Sequence, residues 1–80
     1  MIGFNPEEIG YKVQYGDWRL QKRVENNKVY IYVYNCRTGR KAKYWVDSDG
    51  SLYIKENYGL KKYSDTDYVE EAIRKVISIL

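Results

Sequence analysis

Between Val29 and Tyr34 the chain reads Val-Tyr-Ile-Tyr-Val-Tyr. In an extended strand this two-residue period sends Val29, Ile31 and Val33 to one face and Tyr30, Tyr32 and Tyr34 to the other. Carried into the neighbouring segments, the same alternation places Trp18, Leu20, Val24, Ala42, Tyr44, Val46, Leu52 and Ile54 on the aliphatic side. The opposite side collects Arg19, Gln21, Arg23, Lys41, Lys43, Trp45, Tyr53 and Lys55 around the three tyrosines, with almost no carboxylate. Turn residues punctuate the strands. Gly16-Asp17 separates a short strand over 11–15 from one over 18–25, and Asn26-Asn27 suits the positive dihedrals of a two-residue hairpin before a strand over 28–35. Arg37-Thr38-Gly39 and Asp47-Ser48-Asp49-Gly50 then bracket a strand over 40–47, and 51–56 completes a meander.

The pattern changes near Thr66, where Val69, Ala72, Ile73, Val76, Ile77 and Leu80 fall on one stripe at helical spacing. Ser64 or Asp65 is the expected cap, acids occupy the early turns, and Arg74 and Lys75 come late, as the helix dipole favours. At the other end, Asn5-Pro6-Glu7-Glu8 followed by Gly10 reads as a single helical turn. Residues 57–63 lack a period and read as a crossing loop. The predicted fold is α+β: a small antiparallel β-meander of four or five strands with one C-terminal α-helix packed on the aliphatic face. Eighty residues accommodate one such domain, spanning 1–80, with a single core.

The net charge of +3 conceals an uneven distribution. Residues 18–46 hold eight cations and one acid, Glu25, whereas the remainder holds six cations and ten acids. A basic centre flanked by acidic ends would orient in the field of a polyanion. The high Lys, Glu, Ile and Tyr content also suits a thermophilic source.

Several chemistries are disfavoured. With one cysteine, Cys36, and no histidine, neither an internal disulfide nor a zinc set of two cysteines and two histidines can form. The thiol has no imidazole base, and no nucleophile motif or phosphate-binding glycine loop is present, so the chain is expected to be non-enzymatic and cofactor-free. Asp47 and Asp49 before Gly50 have the opening of a calcium loop, but Tyr58 stands where its glutamate belongs. No run of about twenty apolar residues and no signal-peptide pattern occurs, which leads to the expectation of a cytoplasmic protein without membrane partners.

A sheet face of flat rings and cations has the composition that stacks on bases and neutralises phosphates. The candidate nucleic-acid-binding residues are Arg19, Arg23, Tyr30, Tyr32, Tyr34, Arg37, Arg40, Lys41, Lys43, Trp45, Tyr53 and Lys55, with Arg37 and Arg40 gripping phosphate from a turn tip. Over residues 18–80 the element order and the Trp and Arg content resemble ethylene-response-factor DNA-binding domains and the arm-binding domains of tyrosine integrases. The tyrosine-bearing strand followed by Thr38-Gly39-Arg40 and a C-terminal helix is loosely similar to small archaeal chromatin proteins. These likenesses imply duplex DNA rather than single-stranded DNA or RNA, although no diagnostic motif of either group is present. Two alternatives use the same face: a protein partner or homodimer that buries Tyr, Trp and Arg as hot spots, and coverage by the N-terminal fifteen residues.

Overall fold

Strand β2 (Trp18–Glu25) turns into β3 (Lys28–Asn35) through Asn26 and Asn27, with φ of 52° and 64°. Asparagine tolerates this left-handed region better than other side-chain-bearing residues, and two such residues in succession match the twist of the paired strands. The computed structural model describes residues 4–61 and 65–80. Strands β1 (Val13–Tyr15), β4 (Lys41–Val46) and β5 (Leu52–Tyr58) complete an antiparallel sheet in the order β1-β2-β3-β4-β5. Each strand therefore neighbours its predecessor, and the sheet is the expected meander with all five strands formed.

Helix α1 (Pro6–Ile9) is one turn, capped by the Asn5 side chain, which accepts from the Glu7 N–H at 3.0 Å. Helix α2 (Asp65–Val76) begins one residue before the expected start; Ser64, one of the two expected caps, lies outside the described residues. Two i,i+4 ion pairs run along its outer surface, Glu70 with Arg74 at 4.0 Å and Glu71 with Lys75 at 2.9 Å.

The inner stripe of α2 closes the core. Val69, Ala72, Ile73 and Val76 are buried with Leu20, Ile31, Val33, Ala42 and Tyr44 from the sheet. A fully buried Leu, Ile or Val contributes roughly 1.5–3 kcal/mol relative to exposure, so this layer dominates the stability of so small a domain. Leu60 joins it through a clasp: the Asn57 side chain donates to the Leu60 carbonyl at 3.1 Å and accepts from its N–H at 2.8 Å.

β4 is one residue shorter at each end than expected and β5 starts one residue later, and two boundaries differ by two residues. β5 continues to Tyr58, shortening the crossing loop, because the β4–β5 register shifts between Lys43 and Tyr44: Tyr44 faces Ile54, whereas Lys43 faces Glu56. Lys55 is the extra residue of this bulge, and the parity of every later position in β5 is reversed. β1 starts at Val13 instead of Tyr11, whose ring lies on Tyr34 at 6.1 Å between centroids. Residues 62 and 63 of the predicted loop lie outside the described residues. Among the described residues, no helix is long and apolar enough to cross a membrane.

Candidate nucleic-acid interface

The registers arrange the tyrosine face as rows running across the strands. Arg19, Tyr34, Lys41 and Tyr58 form one row; Gln21, Tyr32, Lys43 and Glu56 form the next; Arg23, Tyr30, Trp45 and Tyr53 form the third. Glu25 and Lys28 are paired at the margin beyond the third row. The face is thus richer in carboxylate than the alternation implied. Glu25 shares the parity of Arg19, Gln21 and Arg23, and the bulge brings Glu56 and Tyr58 onto the face.

The chain leading into β1 crosses the first two rows. Phe4 stands edge-on against Tyr32, with ring centroids 5.0 Å apart, and against Tyr58 at 6.3 Å. The Lys41 ammonium donates to the Phe4 carbonyl at 2.6 Å, and the Arg23 guanidinium donates to the Ile9 carbonyl at 3.3 Å. Ile9 is buried, and the Lys12 N–H donates to the Leu20 carbonyl as the strap reaches the sheet edge. The expectation of a wholly open face is therefore corrected: coverage by the N-terminal residues, the alternative raised from the sequence, is what the chain does. Tyr32 keeps 6% of its surface and Lys41 9%. Burial is the main reason that the Tyr32 hydroxyl titrates above its ordinary value.

Apart from Arg23, which holds the Ile9 carbonyl, the third row remains outside the strap. Tyr30 and Trp45 are half-buried and Tyr53 is 49% exposed. Trp45 and Tyr53 lie 5.5 Å apart with ring planes inclined by 34°. Cations sit over the rings: Lys28 over Trp45 at 5.5 Å, and Lys43 over Tyr30 at 4.4 Å. Beside Trp45, the two hairpin turns at this end enclose a groove lined by Asn27, Lys28, Asp47 and Ser48 among others.

Glu25 ties this row to the buried one. Its carboxylate accepts from the Tyr32 hydroxyl at 2.9 Å and pairs with Lys43 at 3.4 Å. The Tyr32 hydrogen bond, followed by the charge of Lys43 acting against partial burial, holds the Glu25 carboxyl below its usual range. Burial would depress the Lys43 ammonium, but the Tyr32 hydroxyl and Glu25 outweigh it and raise the value.

The remaining candidates are dispersed. Arg19 is exposed beside grooves at the foot of the strap, which it lines with Tyr11 and Glu7, and Tyr34 is half-buried against Tyr11. Arg37 and Arg40 belong to the β3–β4 turn, at the end of the sheet opposite the third row. There Arg37 pairs with Asp17 at 3.0 Å, and the stem of Arg40 lies against Gly59, whose φ of 101° is one that side-chain-bearing residues rarely adopt. Lys55 is exposed at the bulge. The sequence reading missed Phe4, Ile9, Tyr11, Lys28, Glu25, Glu56 and Tyr58. Parity alone would have found Glu25 and Lys28. Compared with protein-family models, curated proteins and solved structures, the chain shows no match.

Proposed function

We propose that the protein is a non-catalytic nucleic-acid-binding domain whose ligand lies along Tyr30, Trp45 and Tyr53 of the third row. The observation that carries this reading is the persistence of three adjacent aromatic rings outside the strap, with Lys28 and Lys43 over two of them. Neighbouring strands lie about 4.8 Å apart, so the three rings span roughly 10 Å from β3 to β5. Stacking is worth about 1–3 kcal/mol per base, and the surrounding cations add a salt-dependent attraction to phosphate. The site is smaller than the sequence alone implied, since Tyr32, Lys41 and Arg23 serve the strap.

Glu25 and Glu56 give substance to a second reading, in which the same row docks a protein partner and the mixed charges set its orientation. Fluorescence anisotropy with labelled duplex DNA, single-stranded DNA and RNA, each at two salt concentrations, separates the two. Micromolar binding that weakens with salt and is lost in Tyr53→Ala, with an unchanged melting temperature, supports the nucleic-acid reading. The absence of binding to all three ligands at low salt overturns it in favour of the protein partner.

A further inference from the structure

Resting on the nucleic-acid reading, we infer that the ligand of the third row is unpaired RNA, two or three nucleotides of which contact the protein. The first ground is shape. The strap stands on the same sheet face, directly beside the row, over Tyr32, Tyr34 and Lys41. A sheet that reads a duplex lays its face into a groove about 12 Å wide, and here the shoulder formed by Phe4 to Tyr11 occupies the space that the groove wall would need. A single strand follows the row from Tyr30 to Tyr53 without meeting the strap, which reaches the row at Arg23, and its splayed bases present the flat surfaces that Tyr30, Trp45 and Tyr53 can stack on.

The second ground is charge. Around the row stand Lys28, Arg23, which holds the Ile9 carbonyl, and Lys43, which pairs with Glu25, together with the carboxylates of Glu25 and Glu56. Two carboxylates weaken the hold on a dense phosphate array such as a duplex. Carboxylates are instead strong acceptors for a hydroxyl donor, and the ribose 2′-OH is the donor that distinguishes RNA from DNA. Glu25 is committed through one oxygen to Tyr32 and Lys43, and its side chain remains 42% exposed. The groove beside Trp45 adds the amide of Asn27 and the hydroxyl of Ser48, groups that recognise the edge of an unstacked base.

The test uses the intact wild-type protein and four labelled probes: a six-nucleotide RNA, the same sequence as DNA, the same sequence as 2′-O-methyl RNA, and a duplex DNA of twelve base pairs. The RNA is expected to bind at least about tenfold more tightly than the duplex, and about three- to tenfold more tightly than the DNA and 2′-O-methyl strands, which lack the donor. With two or three phosphates neutralised on a single strand, raising salt from 50 to 200 mM weakens RNA binding by roughly tenfold. Glu25→Ala, with its melting temperature followed alongside, brings the DNA and RNA affinities together. Equal or tighter binding of the duplex overturns this inference and leaves the broader reading standing, as does 2′-O-methyl RNA binding as tightly as RNA. Failure of every probe to bind at 50 mM salt removes the nucleic-acid reading itself.

Discussion

Lys41 and Phe4, 37 positions apart in sequence, are joined by a hydrogen bond of 2.6 Å from the ammonium to the backbone carbonyl. The ammonium also lies 5.3 Å from the Phe4 ring and 5.7 Å from that of Tyr58, so a cation that the sequence pattern assigns to phosphate is a fastener of the strap. Lys41→Ala removes this charged donor and the packing of its stem, at an expected cost of about 2 kcal/mol. In a domain of this size that lowers the melting temperature by roughly 8–16 °C. Hydrogen exchange should show the loss of protection concentrated in residues 4–10, with β2 and β3 still protected. An unchanged melting temperature would mean that the strap contributes nothing to stability.

The Glu25 carboxyl titrates below its ordinary value in the folded protein, chiefly through the Tyr32 hydroxyl and then through Lys43. The resulting stability is fully present above the unfolded value of about 4.5 and is lost as the pH falls through the lower folded value. The urea midpoint of the wild type should therefore decline on acidification below about pH 5 more steeply than that of Glu25→Gln, which keeps an acceptor for Tyr32 but has no charge to titrate. Parallel curves for the two proteins would contradict the network.

Tyr44 is fully buried under α2, and its hydroxyl has no hydrogen-bond partner among the described residues. Burial also drives its ionisation well above the ordinary range. An unsatisfied buried hydroxyl costs about 1–3 kcal/mol, so Tyr44→Phe should leave stability unchanged or raise it by about 1 kcal/mol in urea unfolding. A loss of more than about 1 kcal/mol would show that the hydroxyl is satisfied in solution.

The Asn26-Asn27 turn holds both residues at positive φ. Asn27→Gly relieves the remaining strain and should stabilise by about 0.5 kcal/mol, whereas Asn26→Ala should destabilise by about 1 kcal/mol. Thermal unfolding of the two variants tests the turn, and shifts of the same sign would contradict it.

How much of this was legible in the sequence depends on how local the signal is. The bounds of β2 and β3 match the reading because alternation and the Asn-Asn turn both act within a few residues of each other. The stripe of α2 was equally plain. The bulge opposite Lys43 and Tyr44 was not, since Lys55 carries no glycine or other local mark, and so Glu56 and Tyr58 were left off the face. The strap was raised only as a possibility, because Phe4, Ile9 and Tyr11 have no period of their own and acquire meaning only against Tyr32, Tyr34 and Tyr58. Cations and tyrosines on one face could not by themselves reveal which would meet solvent and which would meet the chain itself.

A ligand on the third row, and not on the strap or the β3–β4 turn, leaves a distinct footprint on the protein. The most direct test is to titrate the isotopically labelled protein with the six-nucleotide RNA while following the Trp45 indole N–H and the backbone amides by NMR. The largest shifts are expected at Trp45, Tyr30, Tyr53 and Lys28, with Arg37, Arg40 and residues 4–10 nearly still. Shifts centred on Arg37 and Arg40, or on the strap, would contradict it.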